Sequence, residues 1–305
     1  MNRMSPAPRP EWKNNPQQGP RQGLKLRWAQ LRCIRLALGH YENFLVLGPL
    51  TSPHLIPHLS ALYAFSRHAD DLADEIPDPS LAAEKLDAWG EELRRSLGGE
   101  SHHPITRALA STIRRFELST DPLFDLLSAF RQDLTVHRFT TFDDLRDYTR
   151  RSAEPVGRLV LRLYGFQDPE LDALSDSICT GLQLANFCQD VGGDARRDRI
   201  YIPLRECNQF DVDPVEILDL RSSPRLEKLL RFQIIRAYKY LRAGLPLCER
   251  LKGRFKISVR LFVLGGMQIL DLLERDPLAA LRLHVRLKPS QKLRALLSSL
   301  KPLDN

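Results

Sequence analysis

Apolar residues recur along this chain every three or four positions rather than in strict alternation. From about residue 31 to residue 300 they form long stretches rich in Leu, Ala and Arg, with few β-branched runs. This periodicity predicts helices over 55–75, 80–97, 105–116, 122–137, 141–151, 156–163, 170–192, 223–251 and 256–275. Pro77, Pro79 and Pro104 separate neighbouring segments, and Gly98-Gly99 closes one of them. No internal repeat and no dinucleotide-binding glycine fingerprint interrupts the pattern. At 305 residues and 43% hydrophobic, the chain can bury a large core as one big domain or two small ones. The continuous helical signal favours one all-α domain over residues 31–305.

Charge changes the picture at the two ends. The formal net charge is +7. Residues 1–32 carry Arg3, Arg9, Lys13, Arg21, Lys25, Arg27 and Arg32 against the single acid Glu11. Five prolines in the first twenty positions oppose regular helix, so residues 1–30 are expected to form a disordered basic, Pro-rich leader. The leader lacks the apolar stretch of a secretory signal, and its prolines and weak amphipathicity argue against a mitochondrial one. No run of about 18 apolar residues predicts a membrane span. A second basic stretch, Arg282, His284, Arg286, Lys288, Lys292 and Arg294, has no acid until Asp304. Nucleic acid is not expected as a partner, because neither stretch carries a recognition motif or interleaved aromatic platform. Anionic lipid headgroups or a phosphorylated substrate suit these charges better. Cys33, Cys179, Cys188, Cys207 and Cys248 are odd in number and lack metal-type spacing, as expected for reduced, mostly packed residues of a cytoplasmic protein.

The candidate chemistry lies in two acidic clusters, beginning at Asp70-Asp71-Leu72-Ala73-Asp74-Glu75 and at Asn186-Phe187-Cys188-Gln189-Asp190-Val191-Gly192-Gly193-Asp194. On a helix Asp70 and Asp74 share a face one turn apart, and Asn186, Asp190 and Asp194 do so over two turns. Like charges at that spacing cost roughly 0.2–0.5 kcal/mol per pair. Columns made only of oxygen donors suit a hard divalent cation, and magnesium commonly takes one or two carboxylates together with water and substrate phosphate. The competing reading is a solvated acidic face. Against it, the flanks Ala61-Leu62-Tyr63-Ala64-Phe65 and Gly181-Leu182-Gln183-Leu184-Ala185 read as buried helix, where carboxylates without partners are costly. Arg67 lies on the Asp70 face, and Arg196, Arg197 and Arg199 closely follow Asp194. Facing carboxylate columns in a helical domain can grip a diphosphate through bridging magnesium, stabilising the charge that develops as it departs.

At these residues the chain resembles the squalene/phytoene synthase family. The segment Tyr63-Ala64-Phe65-Ser66-Arg67-His68-Ala69-Asp70-Asp71-Leu72-Ala73-Asp74-Glu75 resembles its first aspartate-rich motif. Gln183 to Asp194, followed by Arg199-Ile200-Tyr201-Ile202-Pro203, resembles its second. Within the family, His40-Tyr41-Glu42-Asn43-Phe44 resembles the opening motif of the hydroxysqualene synthase branch, and Ser152-Ala153-Glu154-Pro155-Val156-Gly157 its Ser-Ala-Asn-Pro-Val-Gly segment. Glu154 stands for the usual Asn, Thr149 for the usual Cys, and Leu45-Val46-Leu47-Gly48 for Pro-Val-Ala-Ser.

The resemblance implies an isoprenoid synthase helical bundle with a central apolar cavity. It implies an enzyme that ionises presqualene diphosphate on several Mg2+ ions, rearranges the cation and captures water, giving hydroxysqualene without NADPH. Asp70, Asp74, Asn186, Asp190 and Asp194 would hold the metal. Arg67 and Arg199 would contact diphosphate, Tyr201 would line the site, and Tyr41, Asn43, Phe44, Tyr148 and Gln183 would complete the substrate pocket. Asp71 and Glu75 point partly away from the column, and Gly192-Gly193 suits close backbone approach or a helix end. Expected partners are an isoprenoid diphosphate, a membrane surface contacted peripherally and neighbouring pathway enzymes. The competing readings are a head-to-head prenyl transferase making presqualene diphosphate or phytoene, and a non-catalytic assembly protein; the intact acidic positions weigh against the second.

Overall fold

The structure, a computed structural model, describes residues 20–39, 50–282, 285–287 and 299. Helices α1 (Pro20–Leu38), α2 (Ile56–Asp74), α3 (Pro79–Leu97) and α4 (Pro104–Phe116) form the first half. Helices α5 (Asp121–Asp133), α6 (Phe142–Ser152) and α7 (Glu154–Leu163) lead into the long α8 (Pro169–Gln189). Four short helices follow in the second half: α9 (Val191–Ala195), α10 (Leu204–Gln209), α11 (Pro214–Leu218) and, later, α13 (Pro246–Arg250). Two long ones, α12 (Pro224–Gly244) and α14 (Gly253–Arg275), and the terminal α15 (Ala279–Arg282) complete it. Among the described residues the fold is all-helical, apart from one isolated parallel bridge between Arg138 and Ile200.

Capping chemistry sets the helix starts. Asp78, Asp168 and Asp213 each accept a bond from a first-turn amide at 2.9 Å, and each is followed by proline at the first helical position. Thr141 and Asp144 form a reciprocal capping box on α6.

Two apolar clusters make the core. The first is built by α1 to α5, with Phe65, Leu86, Leu93, Leu109 and Leu123 essentially inaccessible. The second surrounds α8, which packs on α12, α14, α7 and α6. Helix α7 joins them: Leu159 and Leu163 face the first cluster and Leu161 the second. Buried Glu154, the branch departure, is compensated by Thr180 Oγ1 donating at 3.0 Å and by an ion pair with Arg146.

Several boundaries differ from the periodic reading. Helix α1 begins at Pro20, inside the expected leader, because Pro20 sits at a helix start and no proline follows until Pro49. The expected helix 122–137 stops at Asp133, and 223–251 divides at Pro246, which lacks an amide proton and crowds the preceding turn. The expected helix 170–192 breaks at Asp190. All five cysteines are free thiols, four of them buried. No described helix is long and apolar enough to cross a membrane.

Candidate active site

Asp70 and Asp74 lie on the last turn of α2, on the face that meets the second half. Arg67, one turn earlier, is held by Asp71 (Nε to Oδ1, 2.7 Å) and reaches Asp70 (Nη1 to Oδ2, 3.3 Å). Asp71 thus shares Arg67 with Asp70 and fixes the arginine beside the Asp70–Asp74 pair.

The second cluster is built differently. Asp190 ends α8 and starts α9, with φ −112° and ψ 20°, outside the helical range. Asn186, Asp190 and Asp194 are thus not one column on one helix; two helices meet at Asp190, and the Asp194 amide donates to its carbonyl at 2.8 Å. The two glycines make this break possible. A Cβ on Gly193 would stand 2.8 Å from Cγ of Asp190, inside its carboxylate. One on Gly192 would collide with the Leu281 carbonyl of α15. Gly193 leaves room for the acid, and Gly192 for the backbone that covers it.

After α9 the chain turns at Asp198 and pairs with the segment following α5: the Ile200 amide donates to His137 O at 3.0 Å and the Leu204 amide to Phe139 O at 2.9 Å. This bridge carries Arg199 across the gap. Both its Nη atoms lie 3.5 Å from Asp74 Oδ1, linking the second acidic segment to the first. Arg197 reaches Asp74 at only 3.8 Å and is largely exposed, and Arg196 donates back to Gly192 O.

Beneath this mouth lies an aromatic group. Phe187 and Tyr201 stack at 4.0 Å with a 7° interplanar angle, and Tyr148 and Phe139 pack against Tyr201 at 6.0 and 5.8 Å. The Tyr148 hydroxyl, beside Tyr201, donates to Asp133 Oδ2 at 2.8 Å. Asp133, near the end of α5, was not among the residues singled out from sequence. It is only 8% exposed, and its other carboxylate oxygen has no hydrogen-bond partner. Two small spaces lie beneath the mouth, one lined by Leu145, Leu184, Phe187, Tyr201, Leu230 and Gln233 and one bordered by Asp194 and Arg199; each has a volume of about 10 Å³, room for about one water. Among the described residues the expected large central cavity is therefore not open, and Phe187 and Tyr201 line both of the small spaces.

Electrostatics ties the groups together. Burial, then neighbouring Asp74, raises the Asp70 carboxyl, with Arg67 and Arg199 opposing. Asp194 is pushed up to about 7 by burial and by Asp190. Asp133 is likewise pushed up to about 7, chiefly by burial, and feels Arg199, Asp74 and Asp70 together. Arg199 thus lies within the field of acids from α2, α5 and α9.

These acids offer only hard oxygen donors, and burial together with neighbouring acids raises the carboxyls of Asp70 and Asp194, a donor set whose chemistry fits a divalent cation. Among the described residues no three acidic, His or Cys side chains converge on one point. An ion here would need donors besides the protein, as magnesium does when it completes its shell with water and phosphate.

Gln183 is half-buried and Asn186 exposed, on the Asp190 face of α8. Tyr41, Asn43 and Phe44 lie outside the described residues. Tyr164, in contrast, stacks on Phe255 at 3.7 Å, and Phe65 on Trp89 at 5.4 Å, as packing within the two apolar clusters.

Comparison with known proteins extends the picture. The squalene/phytoene synthase family model matches residues 38–292. A hydroxysqualene synthase from Rhodopseudomonas palustris is 36% identical over 253 residues, 81% of this chain and 84% of its own. A phytoene synthase from Arthrospira platensis is 33% identical over 71% of this chain and 74% of its own. The crystal structure of squalene synthase HpnC from Alicyclobacillus acidocaldarius superposes with a TM-score of 0.78 at 39% identity, covering 83% of this chain and 96% of that one.

Proposed function

Because this chain belongs to the squalene/phytoene synthase family, whose members act on isoprenoid diphosphates, we propose that it converts presqualene diphosphate to hydroxysqualene and diphosphate. The observation that carries this reading is the Arg199–Asp74 link, which joins both acidic segments at one mouth over an aromatic group. Similarity to hydroxysqualene synthases and the sequence of the opening motif support the choice of reaction.

Asp70, Asp74, Asn186, Asp190 and Asp194 would hold Mg2+, which when bound supplies positive charge for the departing diphosphate. Arg199 and Arg67 place guanidinium groups where diphosphate oxygens arrive, and such charge-assisted bonds strengthen as the C–O bond breaks with its electron pair on the leaving group. Asp71 orients Arg67 for this contact. The cyclopropylcarbinyl cation that forms is held against the faces of Phe187, Tyr201 and Tyr148, where cation–π attraction is worth about 0.5–2 kcal/mol. After rearrangement, water adds to the cation and releases one proton. No hydride is consumed, so the balance requires no NADPH.

Head-to-head condensation is the second reading, favoured by the likeness to phytoene synthase. Purified protein with magnesium and no NADPH, given presqualene diphosphate, farnesyl diphosphate or geranylgeranyl diphosphate separately, distinguishes them by mass spectrometry of the lipids. Hydroxysqualene from presqualene diphosphate supports the proposal. Presqualene diphosphate formed from farnesyl diphosphate, or phytoene from geranylgeranyl diphosphate, moves the enzyme to condensation, and no turnover of any of the three overturns both.

A further inference from the structure

Helix α1 has two unlike faces. Ala29, Cys33 and Ala37 are buried in the first core cluster, where α1 packs on α2 and α4. On the opposite side Leu24, Trp28, Leu31 and Leu38 are 57%, 71%, 56% and 66% exposed. At 100° per residue these four fall within about 80° of one another, a single stripe along the helix. They are four of the eight large hydrophobic side chains most exposed among the described residues. Exposed Lys25 and Arg32 flank the stripe on one side, Arg27 on the other, and Arg35 lies along it. The helix contains no acid.

We propose that α1 lies flat on an anionic lipid bilayer, with Trp28 and its leucine neighbours at the acyl boundary and the flanking cations among the headgroup phosphates. A stripe of Trp and Leu bordered by Lys and Arg is the composition of an interfacial helix. At 19 residues it offers roughly 28 Å of such surface. A second copy of the chain is a poor occupant. A symmetric pairing along this stripe would set the cations of one copy against those of the other. The inference goes beyond the reaction proposed above and holds for any member of that reaction class. It does place α2, with Asp70 and Asp74, one helix spacing from the lipid that would deliver an isoprenoid, roughly 8–10 Å between axes.

Flotation of the full chain with vesicles tests it. Binding is expected to equimolar phosphatidylcholine and phosphatidylglycerol, to fall steeply with pure phosphatidylcholine, and to be weakened by salt. Trp28→Ser with Leu31→Ser should lower partitioning roughly tenfold or more. Arg27→Glu with Arg32→Glu should lower it about thirtyfold or more. Ile235→Ser, which removes an exposed apolar side chain from α12 in the other half, should float as the parent does. All these side chains are exposed, so helical circular dichroism should be unchanged in each variant. Flotation of both α1 variants at the parental level would overturn the proposal, as would equal binding to neutral vesicles or none to anionic ones. A dimer that Trp28→Ser splits, without any flotation, would assign the stripe to a second copy instead.

Discussion

The two halves of the molecule present their acids in different ways. In the first half, Asp70 and Asp74 ride the end of an unbroken nineteen-residue helix whose other faces are sealed into the core by Ala61, Ala64, Phe65 and Ala69. In the second half the helix that brings Asn186 stops at Asp190, and a five-residue helix restarts with Gly192 and Gly193 in its first turn. A regular helix positions side chains by periodicity alone. A broken one needs local space, cross-chain pairing and covering backbone, and here those come from Gly193, from the strand-like bridge at Ile200 and from α15. The first acidic segment is therefore a product of local sequence, and the second a product of tertiary structure.

If both segments serve one diphosphate, they should fail alike. Asp70→Asn and Asp190→Asn are each expected to lower kcat/KM by at least roughly a hundredfold, the scale of losing one well-placed electrostatic contact at a departing charge. Helical circular dichroism should not change. Near-parental activity in either variant would separate that half from the chemistry.

Asp133 stands between the halves and reports on both. Its carboxyl, pushed up to about 7 by burial first and by Asp74 and Asp70 as well, binds a proton in the folded chain that an unfolded chain releases near pH 4. Between those values the folded state holds more protons than the unfolded one, so stability falls as pH rises through the window. The contribution is fully present below about pH 4 and lost on passing pH 7. A shift of about three units sets an upper bound of about 4 kcal/mol. Asp194 acts in the same direction. Without divalent cation, the urea midpoint should decline from pH 5 to pH 8, and Asp133→Asn should flatten part of that decline. An identical slope in the variant would mean that Asp133 is already ionised at pH 5.

The two glycines separate site from fold within one turn. Gly192→Ala drives a methyl against the Leu281 carbonyl, and overpacking of this kind costs roughly 1–3 kcal/mol, so a lower melting temperature is the expected readout. Gly193→Ala presses on the Asp190 carboxylate, a side chain that can rotate away at the expense of its aim. Stability should change less and kcat more. The reverse pattern would show that the break at Asp190 is structural only.

What the sequence made legible follows the same division. Long helices with apolar periodicity, α2 to α8 and α14, were readable to within a few residues except where a local event intervened. The break at Asp190 was not, because its cause is the room that Gly193 leaves and the approach of α15 some ninety residues later. The subdivision at Pro246 was readable in principle from that proline alone. Asp133 escaped because it belongs to no acidic cluster and its partner Tyr148 lies on another helix. A signal did exist: with Leu123, Leu126 and Leu127 it continues the buried face of α5, and an acid in an apolar column asks for an explanation. The resemblance singled out Arg199 among the arginines after Asp194; the distance at which each reaches Asp74 was not legible, since it depends on how the chain turns at Asp198.

That turn supplies the finest test of the link between the halves. Arg197 and Arg199 both approach Asp74, yet their side chains are 66% and 18% exposed, and only Arg199 reaches it with two nitrogens. An exposed pair at 3.8 Å contributes about 0–1 kcal/mol at most and is screened by salt. Arg199 is enclosed by the aromatic group and by acids from three helices, where the effective dielectric is lower and one charge interacts with several. Arg199→Gln should therefore lower kcat/KM roughly tenfold or more, the cost of removing a charge-assisted contact to a leaving group. Arg197→Gln should stay within about twofold, with its small effect vanishing at high salt. If the two substitutions cost the same, diphosphate would be gripped from the exposed rim rather than from the seam where the broken helix meets the unbroken one.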